Sequence, residues 1–316
     1  MSLAYSQSTS TAGADRHAAY RGLWIPLVTP FRHEDIDHKA LQRLVQHLGA
    51  CGVRGFVACG STGEAALMEP HEQDALLATV CEAAAGLPVM VGVSGMRPGA
   101  VVARMQTLAK QFPVHAFLLP PPSYIRPSQT GLLHFFEAIA DQAPAPLVLY
   151  DIPYRTGVKI ELPTLLQLAA HPRIQALKDC GGQLSATQAL IQDGRLAVLA
   201  GEDHAVFSTL ALGGAGAIAA SAHLLTPAYV ALVQALADDR IEPARALWQR
   251  LARLIGLCFA ESNPAPLKAL LAQQGWLHNE LRAPLQPATP GLLASLLEAE
   301  AQAREQLGEL GTALTS

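Results

Sequence analysis

The chain has 316 residues, half of them hydrophobic and 15% charged, with a formal net charge of −4. That composition allows a large core, in one big α/β domain or two ordinary ones, and excludes the strongly basic balance that nucleic acid or an anionic membrane surface would require. The five cysteines (Cys51, Cys59, Cys81, Cys180 and Cys258) are odd in number, widely spaced and without a Cys-x-x-Cys pair. They indicate neither a disulfide framework nor a zinc site, and a reduced, cytoplasmic setting is expected.

Residues 1–20 are rich in Ser, Thr and Ala, show no apolar signal-peptide core, and are expected to form a disordered tail. Strand candidates then alternate with helical segments. The first strand is predicted over 23–28, with a helix over 39–49. A second strand, 55–59, precedes a helix that Pro70 opens and Gly86 closes. A third, 88–93, precedes a helix over 99–111. The fourth, 116–119, runs into a proline-rich loop and then a helix from Ser128, as N-cap, to about 141. The fifth strand is 146–150. A helix over 162–170, with Pro163 in its first turn, leads to the sixth strand at 174–178. The seventh and eighth are 196–200 and 215–219, with helices after Asp203 and after Thr226-Pro227. Residues 204–237 contain no Asp, Glu, Lys or Arg, as a membrane span would. Gly213-Gly214, Gly216, Ser221, His223 and Pro227 interrupt the stretch, so a helix–turn–strand–helix through a buried core fits better.

Eight strand–helix units in strict alternation predict an α/β fold, a parallel (β/α)8 TIM barrel over 21–238, with a doubly wound open sheet as the alternative. Helices at 242–259, 265–274 and 290–306 are too little for a separate core. They predict a C-terminal helical extension (239–316) that packs on the barrel or carries a subunit interface.

The chemistry gathers where apolar runs stop. Lys178 ends the sixth strand, and burying its ammonium would lower its pKa and free an amine to attack a carbonyl. The plainer reading turns Lys178 to solvent or pairs it with Asp179. Tyr150 ends the fifth strand, and Arg155 follows it in a Tyr-Arg-Thr-Gly turn, as a solvated charge or as a fork for a substrate carboxylate. The second strand ends in Cys59-Gly60-Ser61-Thr62-Gly63-Glu64. Its glycines, hydroxyls and N–H groups suit a carboxylate, or simply cap the next helix, and no lysine follows to make a phosphate loop. Tyr124 sits on the stiff loop after the fourth strand. The eleven histidines show no metal-ligand spacing near strand ends, and no Gly-x-Gly-x-x-Gly follows the first strand, so neither a metal nor another cofactor is expected.

Four motifs carry a resemblance: Gly60-Ser61-Thr62-Gly63-Glu64, Tyr150-Asp-Ile-Pro-Tyr-Arg-Thr-Gly157, Lys178, and Asn263-Pro-Ala-Pro-Leu-Lys268. Over residues 23–285 the chain resembles the dihydrodipicolinate synthase / N-acetylneuraminate lyase group of pyruvate-dependent class I aldolases. The resemblance implies that Lys178 forms a Schiff base with pyruvate and that Thr62 and its backbone hold the pyruvate carboxylate. It implies a proton relay of Ser61, Tyr124 and Tyr150, with Tyr124 supplied by a neighbouring subunit of a homo-oligomeric dimer or tetramer. Ile218 would pack on the bound pyruvate, and Gly201 would line the substrate site. Arg155 resembles the synthase rather than the lyase, where it would grip the carboxylate of aspartate semialdehyde. Asp179-Cys180 after the lysine, Glu202 in place of an Asp, and His223 in place of an Asn depart from the synthase pattern. The alternatives are a related aldolase or dehydratase for a 2-oxo sugar acid or hydroxy-oxo acid, and a catalytically idle binding protein on the same scaffold.

Overall fold

The computed structural model describes residues 17–315. Eight parallel strands close into a barrel: β1 (Gly22–Pro26), β2 (Gly55–Ala58), β3 (Val89–Gly92), β4 (Val114–Leu119), β5 (Leu147–Asp151), β6 (Ile174–Asp179), β7 (Ala197–Ala200) and β8 (Gly216–Ile218). Each pairs with its neighbours in sequence, and β8 returns to β1, with Trp24 opposite Ile218. The alternative of an open sheet is therefore excluded. A small hairpin, Phe31–Arg32 against Asp35–Ile36, follows β1.

The side-chain period of two sorts each strand between two cores. Val57, Met90, Leu118, Val148, Ala176, Leu199 and Ile218 pack inside the barrel. Phe56, Val91, Phe117, Leu149, Leu177 and Val198 face the surrounding helices. Those helices are α1 (His38–Ala50), α2 (Pro70–Ala83), α3 (Pro98–Gln111), α4 (Gln129–Ala140), α5 (Leu162–Leu168), α6 (Leu184–Asp193), α7 (Val206–Ala211) and α8 (Thr226–Ala237). Their starts follow local chemistry. Asp37 accepts from the Ala40 N–H, Ser128 accepts from the Gly131 N–H, and Glu69 and Glu72 form a capping box ahead of α2. The amino-terminal end of the barrel is plugged by Tyr20, Trp24 and His115, the last two 5.5 Å apart between ring centroids.

Helices α9 (Ile241–Cys258), α10 (Ala265–Gln273) and α11 (Pro290–Thr315) complete the chain, with α9 packed on α8 and α11 on α9. The expected N-terminal tail lies outside the described residues as far as residue 16. His17 to Tyr20 are helical, and Tyr20 is buried. The sequence reading did not pick out α6, which buries only Thr187 and Leu190. Among the described residues, no helix is long and apolar enough to cross a membrane. The uncharged stretch 204–237 is divided by the turn at Gly213-Gly214, by β8 and by a 3-10 turn, Ser221–His223.

Candidate active site

Tyr150 and Lys178 are register partners across β5 and β6, each two residues beyond an inward-facing neighbour, so both reach the barrel interior near its carboxyl end. The Lys178 amine lies 4.3 Å from the centroid of the Tyr150 ring. Lys178 is 6% exposed, and it does not pair with Asp179, whose carboxylate is taken by the Gly181 N–H and the Thr187 hydroxyl. Burial lowers the pKa of Lys178, while the negative charges of Asp203 and Glu202 work the other way. Burial also pushes the Tyr150 phenol well above its usual range, so it stays protonated, while the nearby Ser61 hydroxyl pulls the other way.

Ser61 belongs to the turn that leaves β2. Two of its N–H groups are already used, Gly63 to the Gly60 carbonyl at 3.1 Å and Glu64 to the Ser61 carbonyl at 3.2 Å. Those of Ser61 and Thr62 have no partner among the described residues. The turn thus presents two free N–H groups, and a Thr62 side chain that receives a hydrogen bond from the Asn263 amide at 3.1 Å. This is the polar concavity that a carboxylate needs.

A cavity of about 570 Å³ opens beside this turn, lined among others by Ser61, Tyr150, Arg155, Thr156 and Asn263. Arg155 is carried by a one-turn helix, Pro153–Thr156, closed by Gly157 at φ 78°. Among the described residues no carboxylate pairs with it. Next to it, the Tyr154 hydroxyl donates to Glu202 at 2.8 Å. Burial raises the pKa of the Cys180 thiol well above the usual value, so it remains neutral beside Glu202. Gly201 is required by space: a Cβ there would lie 2.8 Å from Cγ of Lys178 and 2.5 Å from Sγ of Cys180. Asp203 is buried behind the lysine and accepts from the Ser221 N–H at 2.6 Å and from the Ala220 N–H at 3.2 Å.

Lys178, Tyr150, Ser61, Thr62, Arg155 and Gly201 all stand at or just past the carboxyl ends of β2, β5, β6 and β7, with Ile218 in the inner core. Of these, Ser61, Tyr150 and Arg155 line the cavity, and Lys178, Thr62 and Gly201 do not. Tyr124 stands apart. It is 87% exposed, does not line the cavity, and holds φ 71° on a loop where Arg126 also has positive φ. His223 is a strap rather than a ligand: its Nδ1 faces the Ala220 carbonyl at 2.8 Å, and its Nε2 accepts from the Val28 N–H at 3.3 Å. Burial lowers its pKa to about 4, which keeps the ring neutral. Two site residues carried no role in the sequence reading. Tyr154 and Asn263 were each visible only as one residue of a motif.

A profile described as the Dihydrodipicolinate synthetase family matches residues 19–299. The 4-hydroxy-tetrahydrodipicolinate synthase 2 of Clostridium acetobutylicum is 35% identical over 279 residues, covering 87% of this chain and 97% of the relative. The solved 4-hydroxy-tetrahydrodipicolinate synthase of Methylacidiphilum fumariolicum superposes with a TM-score of 0.89 at 30% identity, over 92% of this chain and 98% of that one. The dihydrodipicolinate synthase of Acinetobacter baumannii, solved in complex with pyruvate, superposes with a TM-score of 0.87 at 30% identity, over 90% and 99%.

Proposed function

The chain belongs to the dihydrodipicolinate synthetase family, and on that premise we propose that it is a Schiff-base lyase joining pyruvate to aspartate 4-semialdehyde, as a 4-hydroxy-tetrahydrodipicolinate synthase. The observation that carries the reading is the buried Lys178 amine, 4.3 Å from the Tyr150 ring centroid, at the same barrel end as the open turn at Ser61-Thr62. The neutral amine adds to C2 of pyruvate and expels water, giving an iminium. Loss of a C3 proton makes the enamine, whose C3 attacks the aldehyde carbon. Tyr150, held protonated by burial, hands a proton to the oxygen that develops charge. The substrate's own amine, once it has lost a proton, attacks the iminium carbon, closes the ring and releases Lys178 as the free amine. The carboxylate of pyruvate sits on the free N–H groups and hydroxyl of the turn.

The second substrate is argued from charge. Arg155 lacks an ion-pair partner among the described residues. Glu202 is held by Tyr154 and, like Arg155, lies near enough to Lys178 and Tyr150 to act on their ionisation. Opposite charges flanking one reaction centre suit an aldehyde that carries both a carboxylate and an ammonium. Tyr124, exposed on a strained loop, serves the site of a second copy of the chain in this reading.

Borohydride reduction in the presence of pyruvate is expected to add one group per chain, on Lys178, and Lys178→Ala is expected to abolish it. Equal labelling of that variant would remove the assignment. Arg155→Ala should leave the labelling intact while lowering kcat/KM for aspartate semialdehyde by about tenfold to a few hundredfold, the worth of a desolvated charge-assisted pair. Unchanged kinetics there would shift the second substrate to a 2-oxo sugar acid.

A further inference from the structure

The Asn263–Lys268 motif lies outside the barrel, yet it grips the turn at Gly60–Glu64 at two points, Thr62 and Glu64. Asn263 Nδ2 donates to Thr62 Oγ1 at 3.1 Å. Lys268, one turn along on α10, is fully buried and donates to Glu64 at 2.6 Å and to the Thr29 carbonyl at 2.8 Å. The Thr29 hydroxyl in turn donates to the Gly63 carbonyl at 2.7 Å, and the Arg282 N–H donates to the other oxygen of Glu64 at 3.0 Å. The turn therefore has little freedom to rotate, and Asn263, which lines the cavity with Ser61, holds the neighbouring Thr62.

A threonine hydroxyl has one proton and two lone pairs. Here one lone pair receives the Asn263 amide, and among the described residues no acceptor takes the proton. Thr62 itself is only 4% exposed, so its O–H is not free to satisfy itself broadly in solvent. We propose that Asn263 is a positioning residue for the 2-oxo acid: by donating to Thr62 Oγ1, it commits the hydroxyl proton to the carboxylate of the substrate. This inference rests on the reading of the turn as the carboxylate site. It assigns the C-terminal extension a part in substrate binding that the barrel alone does not provide.

The test is a pyruvate titration of borohydride labelling at Lys178 in the full-length protein. Asn263→Asp keeps the shape but cannot donate. It would capture the Thr62 proton and set a negative charge beside the ligand, so half-saturating pyruvate should rise by about tenfold or more. The label at saturation should stay at one per chain. Asn263→Ala, a milder change that frees the hydroxyl to turn, should raise half-saturation by a smaller factor, about two- to fivefold on the same scale. Thr62→Val should also raise it, and adding Asn263→Ala to Thr62→Val should add nothing further, because both act through one hydroxyl. Additive losses, or a lower saturating label at unchanged half-saturation, would show a merely structural role and overturn the proposal. Unchanged titration in Thr62→Val, with Lys178 still labelled, would overturn it while leaving the lysine chemistry standing. Failure of the wild-type chain to label would end both.

Discussion

Asp151 follows Tyr150 at the end of β5, is 1% exposed, and accepts from the Ile160 N–H at 3.0 Å. Burial raises its pKa from 3.8 to about 6, and the charge of Asp179, its register partner, adds to the effect. A carboxyl with a folded pKa above its unfolded one binds its proton more tightly when folded. Stability is thus greatest below the unfolded value and declines as pH rises from about 4 through about 6, then levels. The gap between about 6 and 3.8, at about 1.4 kcal/mol per pH unit, amounts to about 3 kcal/mol as an upper bound. Asp151→Asn keeps the acceptor for Ile160 and removes the like charge. It is expected to raise stability near pH 7.5 by about 1–3 kcal/mol and to flatten the decline between pH 4 and 6. Urea unfolding of both proteins at pH 4.5 and 7.5 checks this, and equal pH slopes would dismiss it. The sequence showed Asp151 as one letter of a motif. Its proximity to Asp179 needed the strand register.

At the scale of elements, α10 is held to the barrel by a fully buried ion pair, Lys268–Glu64, at 2.6 Å. Burial lowers the pKa of Lys268, and the charge of Glu64 counters that. Removing one partner strands a charge in the interior, so Lys268→Met is expected to destabilise the protein by about 3–5 kcal/mol. Glu64→Gln combined with Lys268→Met should recover most of that loss, since neither side chain is then charged and Gln still accepts from the Arg282 N–H. Guanidinium unfolding midpoints of the three proteins measure it, and a single variant as stable as wild type would contradict the argument. Such a pair spans more than 200 residues, and nothing in either local sequence announces the partner. Helix starts are local, and Ser128 as N-cap and Pro70 as opener were legible, whereas the caps that Asp37 and Glu69 make were seen only in the structure. The Phe31–Ile36 hairpin was not, because its strands have two residues each and its turn places His33 and Glu34 at positive φ, a conformation their side chains do not advertise.

At the scale of the whole molecule, the exposed loop tip at Tyr124 and Ile125 gives the proposed oligomer a test. If Tyr124 acts on the neighbouring copy, Tyr124→Phe and Lys178→Ala chains are each weakly active or inactive, yet a dissociated and reassembled equal mixture regains activity. Half of the resulting dimers would be hybrids with one intact site each, so recovery should approach about a quarter of the wild-type rate. A mixture no more active than the average of the two variants would place Tyr124 in its own chain or outside the chemistry. The sequence by itself narrowed the fold to a parallel barrel or a doubly wound open sheet, because eight apolar strands alternating with helices leave few other arrangements. The pairing of β8 with β1 closed the barrel. The sequence placed Lys178 and Tyr150 at strand ends but left open whether Lys178 turns to solvent, and the register of Tyr150 opposite Lys178 decided that the two face inward together. Tertiary structure alone decided that Asn263 reaches Thr62, that Lys268 neutralises Glu64, that Tyr154 holds Glu202, and that Tyr124 points away from its own cavity. Those relations depend on how loops and terminal helices close over the barrel, and distance along the chain carries no record of them.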